Sequence, residues 1–478
     1  MKYCTIDRMN EPFKISIDRA AQIPLAVQIH RSIAAAILDG RLGNGVRLPS
    51  WRDLAAQLGV ARGTVRVAYE KLADEQLIAG MGAAGTRVIH KASRPQAAGR
   101  LPEATPLPAL FPDFERPPAT FQMGVPAQDA FPFSLWSRIM ARSARAAAAA
   151  PVSYPDPRGH IELRREIAAY LALARGIQCE PAQILVTSGY AGGLGLILRA
   201  LGLGGRKAWL EDPAFILTRL ALEQARVAVT PVPVDRDGID VAAGIRFAPD
   251  AAFAVVTPGQ QSPLGLTLSL ERRLALLDWA QARQAWIVED DYLSELQLRG
   301  RAAPALASLD RQGRVLHAGT FSKTITPALR LGFLVVPPQL AARFGDVAAA
   351  LAPAPAASIQ RAVASFLAEG HYLRHLRRMK RLYATRRDAL AACLAERIGP
   401  GLTVHANGGL AVLLELPDAT DDVAVSRQAL PFGLAPVALS PWYKATRRAG
   451  LLLGVTNVDI DSLAADCDRL LALVAAHG

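Results

Sequence analysis

The feature that most constrains the fold is a proline-rich stretch that divides the chain. Between Lys91 and Pro118 the sequence KASRPQAAGRLPEATPLPALFPDFERPP contains seven prolines and little apolar periodicity. Proline lacks a backbone N–H and its ring obstructs a helix, so neither a helix nor a strand ladder is favoured here. The stretch therefore predicts a linker over 91–120, between a smaller domain at 1–90 and a larger one at 121–478, and a length of 478 residues agrees with more than one domain.

The composition is that of a globular protein rather than a disordered one, with 51% hydrophobic and 20% charged residues. The four cysteines lie far apart, with no CxxC pair and no zinc-finger spacing, so we predict no metal site and a reducing cytoplasm. No signal-type segment or long apolar run is present, and we expect a protein that is neither exported nor membrane-spanning. The net charge of +12 agrees with a nucleic-acid partner, although an arginine-rich genome would produce the same balance.

The first domain contains two short helical patterns around a tight turn. The first pattern, in LPSWRDLAAQLG, can be capped by Ser50 and stopped by Gly59. In the second, RGTVRVAYEKLADEQ, Val65, Tyr69 and Leu72 recur at helical spacing. The two patterns predict a helix-turn-helix, and the glycine-rich GMGAAGTRVIH that follows predicts a hairpin wing.

A helix-turn-helix presents the start of its second helix to the major groove of DNA. Arg62 and Arg66 lie one helical turn apart there, and either could contact a guanine. Arg47, Arg52 and Thr64 could hold phosphates. On this pattern alone, a solvated helix face explains the arginines equally well.

The whole segment from about 22 to 90, PLAVQIHRSIAAAILDGRLGNGVRLPSWRDLAAQLGVARGTVRVAYEKL and the wing, resembles the winged helix-turn-helix of GntR-family transcription regulators. The resemblance implies that Arg52, Arg62 and Arg66 contact double-stranded operator DNA and that Gly85 lies at the wing tip. Ala61 departs from the family, which usually has Ser or Thr at this position, so a helix cap or phosphate contact is weakened.

The second domain alternates short β-rich runs with helical stretches such as 270–283. The strand-length apolar runs are ILVTS (184–188), AFAVVT (252–257), AWIVED (285–290), RVLHAGT (314–320) and LGFLVV (331–336). This alternation predicts an α/β fold with a mostly parallel sheet covered by helices on both faces. A helical stretch over 358–397, strands near 410–415 and 451–455 and a last helix from about 460 predict a smaller C-terminal lobe.

Several polar groups in this domain match what pyridoxal 5′-phosphate requires from a protein: an amine, a carboxylate for the ring nitrogen, phosphate donors and a flat group on the ring. Lys323 follows a predicted strand and is flanked by Thr320, Ser322 and Arg330 in GTFSKTITPALRLGF. A single lysine in a loop is more often simply solvent-exposed, so this motif alone leaves both interpretations open.

Two further motifs follow predicted strands. In WIVEDDYLSEL, Asp290 could pair with a pyridine nitrogen and Tyr292 could donate to the ring 3′-oxygen, while metal binding and helix capping are the alternatives. In ILVTSGYAGGLGLIL, the backbone amides of Gly189, Tyr190 and Ala191 could receive a phosphate at a helix N-terminus.

Taken together, TSGYAGGL, LEDPAF, TPGQQSPLG, VEDDYLSEL and GTFSKTITPALRLGF resemble, in order and spacing, the motifs of fold-type I aminotransferases. With the winged head, the chain resembles the MocR subgroup of GntR regulators over essentially its whole length. The resemblance implies that Lys323 forms the Schiff base, Asp290 pairs with the ring nitrogen and Tyr292 contacts the 3′-oxygen. It also implies that the phosphate is bound by Thr320, Ser322 and Arg330 and that Phe215 stacks on the ring. Tyr154 would reach the phosphate of the neighbouring subunit in a homodimer.

Three positions depart from the aminotransferase pattern. Ser262 replaces an asparagine, which alters a contact to the 3′-oxygen. Leu452 stands where aminotransferases carry the arginine that clamps the substrate carboxylate, and Leu217 where some amino-acid-responsive regulators have arginine. We therefore expect a regulator that senses pyridoxal phosphate or an amine reacting with it, with a working aminotransferase carrying a DNA-binding head as the alternative. Arg447 or Arg448 could replace the missing clamp.

Overall fold

The computed structural model describes residues 4–6, 13–89, 118–300 and 302–477. Contacts divide the chain into two compact units, Met1–Phe114 and Glu115–Gly478, and each is considered by itself. The linker predicted over 91–120 lies outside the described residues except for its last three positions. Its boundaries remain a prediction.

The first unit is a helix-turn-helix with a β-wing. Its elements are β1 (Cys4–Ile6), β2 (Phe13–Ile15), α1 (Leu25–Leu38), β3 (Arg47–Leu48), α2 (Trp51–Leu58), α3 (Arg62–Asp74), β4 (Ile78–Gly80) and β5 (Thr86–Val88). Strands β4 and β5 form the predicted hairpin, and β3 joins the other edge of β5, giving the order β3-β5-β4.

The turn between α2 and α3 follows from local chemistry. The Ser50 hydroxyl accepts a hydrogen bond from the Asp53 amide and caps α2, and Gly59 ends that helix in the left-handed conformation at φ 63°. Val65, Tyr69 and Leu72 are buried, as the helical spacing predicts, and pack with α1 and α2 in a separate hydrophobic core.

The second unit is a layered α/β domain with a smaller lobe. Its large-domain elements are α4 (Phe133–Ala148), α5 (Ile161–Ala174), β6 (Ile184–Thr187), α6 (Gly189–Ala200), β7 (Lys207–Asp212), α7 (Ile216–Gln224), β8 (Ala228–Asp235), β9 (Gly238–Ile239), α8 (Val241–Phe247), β10 (Phe253–Val256), α9 (Leu270–Arg283), β11 (Trp286–Asp291), β12 (Val315–Thr320), β13 (Gly332–Val335) and α10 (Ala341–Leu351). The remaining elements are α11 (Ala357–Ala368), α12 (His371–Ala395), β14 (Thr403–His405), β15 (Ala411–Glu415), α13 (Asp422–Ala429), β16 (Val437–Ala438), β17 (Gly450–Gly454) and α14 (Leu463–Ala475).

The large sheet has the order β6-β13-β12-β11-β10-β7-β8-β9. Strands β12, β11, β10, β7 and β8 are parallel neighbours, and β13 runs antiparallel to both β12 and β6. Strand β6 is therefore parallel to β12, and the carboxyl ends of β6, β7, β10, β11 and β12 meet at one edge. Ligands bind at such an edge in open α/β sheets.

The strands predicted in the second unit are all present within one or two residues, and α9 has the predicted bounds. The helical stretch predicted over 358–397 is instead two helices, α11 and α12. Gly370 at φ 70° is left-handed and separates them, because the right-handed helix cannot pass through that conformation. The smaller lobe forms an antiparallel sheet in the order β14-β15-β17-β16. No helix within the described ranges is long and apolar enough to cross a membrane.

Candidate functional site

Lys323 lies three residues beyond the end of β12, at the carboxyl edge of the sheet. Its Nζ donates a hydrogen bond to the carbonyl oxygen of Gly124, 2.9 Å away. Burial lowers the pKa of the lysine ammonium to about 8, and the nearby Asp290 carboxylate opposes that change. A substantial fraction of the amine is therefore neutral near physiological pH, as a nucleophile requires.

Asp290 lies near the end of the neighbouring strand β11 and is only 6% exposed. No group in the described part of the chain donates a hydrogen bond to its carboxylate. Burial, together with the charges of Asp291 and Glu211, raises the pKa of Asp290 well above its ordinary value, while Lys323 lowers it. A buried carboxylate without a donor is costly, and a cation placed beside it would stabilise its charged form.

The acidic pair belongs to β11 itself, so Asp291 points to the opposite face from Asp290. There Arg175 Nε lies 2.7 Å from Asp291 Oδ2, and His317 Nδ1 lies 2.9 Å from Glu289 Oε2. These buried contacts hold the acidic residues that flank Asp290 in sequence. Asp290 is thereby left as the carboxylate directed toward the lysine side of the sheet.

A second buried carboxylate, Glu211 at the end of β7, organises the loop that carries Ser262. Glu211 accepts hydrogen bonds from the amide and hydroxyl of Thr257, and the Thr257 hydroxyl accepts the Ser262 amide at 3.0 Å. Ser262 lies beside Tyr292 and lowers the pKa of its phenol, which burial raises. Burial raises the pKa of Glu211 to about 7.

The start of α6 lies close to Arg330. Arg330 is left-handed at φ 48° and donates to the carbonyl oxygen of Ser188 at 3.2 Å, and a methyl group built on Gly189 would lie 3.5 Å from its guanidinium. Thr320 and Ser322 hydrogen-bond to each other on the adjacent loop. Backbone amides, hydroxyls and a guanidinium thus converge, which suits a phosphate.

The remaining residues predicted for this site lie around that edge. Tyr190 and Ala191 are in the first turn of α6, and the Tyr190 hydroxyl accepts a hydrogen bond from Thr218 at 3.1 Å. Phe215 precedes α7, with its ring centroid 5.9 Å from that of Trp442. Tyr154 is fully exposed and is not packed against any other described residue.

Leu452 is completely buried on β17, in an apolar cluster that borders the site. The cluster also contains Ile216, Leu439 and Trp442, with partly buried Met123, Phe215, Leu220, Leu264, Leu413, Val437 and Tyr443 packed on it. Arg447 donates to the carbonyls of Asp418 and Thr420, and Arg448 lies 3.7 Å from Glu415. Both arginines that could replace a carboxylate clamp are therefore engaged elsewhere.

In the first unit, the residues predicted to contact DNA are accessible. Arg62 and Arg66 are exposed at the start of α3, where Arg66 Nε lies 3.3 Å from Glu70, and Thr64 is half-buried between them. Ala61 occupies the N-cap position and supplies no side-chain hydrogen bond. The recognition helix therefore begins without a side-chain cap, as the sequence predicts.

The wing and α2 add further arginines. Arg47 on β3 packs against Gly85, since a methyl group on Gly85 would lie 2.8 Å from Arg47 Nε. Gly85 has a φ of 81°, which favours glycine at this tip. Arg52 lies 4.9 Å from the Trp51 ring and is exposed. These side chains line the helix-turn-helix and the wing with positive charge.

Sequence reasoning missed Gly124 and Glu211. Gly124 lies at φ 83°, and a methyl group there would come within 2.8 Å of Lys323 Nζ. Its signal in the sequence is weak, because it belongs to an irregular segment far from the lysine motif. Glu211 was visible only as one of the two acidic residues of LEDPAF, and its partner Thr257, which binds Ser262, lies on a different loop.

Two family models match the chain. The model for bacterial regulatory proteins of the gntR family matches residues 25–88, and the model for aminotransferase class I and II matches 130–439. The chain is 36% identical to the probable rhizopine catabolism regulatory protein MocR of Rhizobium meliloti, over 93% of this chain and 92% of that protein. The chain belongs to the MocR group of GntR-family regulators. It is a transcriptional regulator with an aminotransferase-like domain, and a regulator of this type binds DNA.

Other MocR-type relatives extend this picture. The pyridoxine biosynthesis regulator PdxR of Corynebacterium glutamicum is 33% identical over 95% of this chain and 96% of its own. The fold of an archaeal alanine:glyoxylate aminotransferase matches with a TM-score of 0.70 at 24% identity, over 76% of this chain and 92% of that one. Aminotransferases of class I and II typically depend on pyridoxal phosphate.

Proposed function

We propose that this MocR-type regulator binds pyridoxal 5′-phosphate through Lys323 and changes its DNA affinity in response to the cofactor or to an amine that reacts with it. The observation that carries the proposal is the buried Asp290 carboxylate, which has no donor among the described residues and lies close enough to influence the Lys323 pKa. A protonated pyridine nitrogen would supply the missing cation.

The residues around this pair fit the rest of the cofactor. Tyr292, which lies beside Ser262, would contact the 3′-oxygen, and Phe215 would cover the ring. The phosphate would be bound by the side chains of Thr320, Ser322 and Arg330 and by the amides at Tyr190 and Ala191. The bound cofactor supplies a carbonyl carbon that exchanges between the lysine amine and other primary amines.

The first unit would read the operator. Arg62 and Arg66 would reach base edges from the start of α3, and Arg47, Arg52, Thr64 and the wing tip at Gly85 would contact phosphates. Tyr154 would reach the cofactor phosphate of a second subunit, since its side chain is fully exposed. A homodimer would then carry two heads on one operator, which raises the effective concentration of the second head once the first has bound.

The test uses the full-length protein. Protection mapping on DNA upstream of neighbouring genes first identifies the operator, whose affinity is then measured with increasing pyridoxal phosphate while the visible absorption band is followed. We expect a yellow protein whose operator affinity changes as the band appears. Cofactor binding without any change in affinity would refute the sensing part of the proposal.

Matched lysine variants locate the attachment. Borohydride should fix the cofactor on Lys323, and Lys323→Ala should abolish the stable adduct. Lys207→Ala is the control, because Lys207 is exposed and lies 2.7 Å from Asp250, outside the site. An equally stable adduct in Lys323→Ala would show that another amine binds the cofactor, and rapid turnover of a common amino acid would identify an enzyme instead.

A further inference from the structure

The apolar cluster around Leu452 lies directly against the residues that would surround the cofactor. Met123 precedes Gly124, whose carbonyl accepts the Lys323 hydrogen bond, and Leu264 lies two residues beyond Ser262. Phe215 is itself a member of the cluster. An amine bound at Lys323 would therefore have this cluster close beside it.

The cluster is only partly closed. Leu452 is 0% exposed and forms its floor, whereas Met123, Phe215, Leu264 and Leu413 are half-buried. Half-buried apolar side chains at a ligand site gain stability when an apolar ligand covers them. These half-buried side chains therefore favour a ligand with an apolar body.

Basic side chains close to the cluster in the sequence are held by other groups. Arg219 donates to the carbonyl oxygens of Pro441 and Tyr443, and Lys444 Nζ lies 3.5 Å from Glu223. Arg447 and Arg448 are bound to the lobe as described above. To gain a cationic partner, a carboxylate in the cluster would have to displace one of these existing contacts, and without a partner its desolvation is unfavourable.

One member of the cluster, Trp442, has a polar group without a hydrogen-bond partner among the described residues. The indole N–H of Trp442 is buried and has no acceptor within the described ranges. A single neutral N–H can serve a hydroxyl or ether oxygen on the ligand, but it cannot replace the bidentate cation that a carboxylate needs.

From these contacts we infer that the effector is a primary amine with an apolar body and no carboxylate, with at most one neutral acceptor oxygen. The inference rests on the proposed function. Exchange would form one carbon–nitrogen bond to the effector and break the one to Lys323, which leaves as a free amine, so no oxidant or reductant is needed.

Phenethylamine and phenylalanine form a matched pair of probes, because they differ only by the α-carboxylate. The cofactor-loaded full-length protein is titrated with each, and the absorption band and operator affinity are followed. We expect phenethylamine to change both at a concentration at least about tenfold lower than phenylalanine. Equal potency, or no response to phenethylamine, would overturn the inference, whereas absence of the starting cofactor band would refute the proposed function itself.

A cation introduced into the cluster at Leu452, or at Leu217 next to Ile216 of the cluster in sequence, should reverse the preference. Leu217→Arg, at a half-buried position on α7, should raise the potency of phenylalanine relative to phenethylamine. Leu452→Arg makes the same test deeper in the cluster, and Leu217→Arg keeps the test available if the buried arginine prevents folding. Arg236→Leu, at a side chain 92% exposed, controls for surface substitution. An unchanged ratio in folded Leu217→Arg and Leu452→Arg would count against the inference.

Discussion

Lys323 and Gly124 are joined by a 2.9 Å hydrogen bond between residues 199 positions apart. The bond holds the lysine amine against the backbone at the start of the second unit.

Gly124→Ala should displace this amine, because the new methyl group would lie 2.8 Å from Nζ and the φ of 83° costs a non-glycine residue about 1 to 2 kcal/mol. We expect pyridoxal phosphate uptake to slow several-fold, measured by the growth of the visible band. Gly202→Ala, at φ 63° in open space, is the control, and equal uptake by the two variants would contradict the argument.

The pH dependence of cofactor uptake should report the state of Lys323. Its ammonium pKa is lowered to about 8, so roughly a tenth of the amine is neutral at pH 7, about 300 times more than for an ordinary lysine. The uptake rate should rise with pH and level off above about 8. In Asp290→Asn the midpoint should move to lower pH, because the carboxylate that stabilises the ammonium is gone, and cofactor retention should weaken. A rate that still rises steeply at pH 10 would indicate an unperturbed lysine.

The parts of this architecture that the sequence predicts are those encoded by local patterns. The helix-turn-helix follows from the spacing of Val65, Tyr69 and Leu72 and from the cap at Ser50, which act within a few residues. The strands of the sheet follow from apolar runs, and Asp290 lies near the end of a strand while Gly189 and Lys323 lie two and three residues beyond one. Parallel strands bring their carboxyl ends together, so these residues meet at one edge without further information.

The contacts that the sequence does not predict depend on long-range packing. No local pattern relates Gly124 to Lys323, or Glu211 to the loop of Thr257 and Ser262. The break between α11 and α12 is encoded by Gly370, but a glycine within a helical pattern is also compatible with a continuous helix. The local sequence therefore does not distinguish one continuous helix from the two helices α11 and α12.

Glu211 should make the stability of the second unit depend on pH. Its carboxyl pKa is raised from 4.5 to about 7, so the folded state holds a proton that the unfolded state releases between these values. The free energy of unfolding therefore contains a contribution that is present below about pH 4.5 and is lost as the pH rises through 7. Relative to Glu211→Gln, the wild type should lose about 1 to 3 kcal/mol between pH 5 and 8, measured by urea unfolding. Parallel curves for the two proteins would show that Glu211 keeps an ordinary pKa.

The uncapped start of α3 offers a stabilising substitution. Ala61 is extended at φ −63° and ψ 143°, the conformation that a capping residue adopts, but it supplies no acceptor. Ala61→Ser should add a hydrogen bond to an amide of the first turn and stabilise the first unit by about 1 kcal/mol. Ala56→Ser, at an exposed position within α2, introduces the same hydroxyl where no free backbone amide is available to donate to it. Thermal unfolding should separate the two, and equal melting temperatures would exclude a cap.

Arg62 and Arg66 should carry the sequence-specific part of DNA binding. Both are exposed at the start of α3, and losing a base-reading arginine costs about 1 to 3 kcal/mol. The double variant Arg62→Ala, Arg66→Ala should therefore lose at least tenfold in operator affinity while keeping most of its weak affinity for random DNA. Lys71→Ala is the control, because Lys71 lies in the last turn of the same helix, which is farther from the bases in a helix-turn-helix. This variant should weaken binding to operator and to random DNA by the same factor, and by less than the double variant weakens operator binding. Competition titrations at two salt concentrations separate these effects, because phosphate contacts change the salt dependence whereas base contacts change the ratio of operator to random affinity. A double variant that keeps the wild-type ratio would show that α3 does not read the operator.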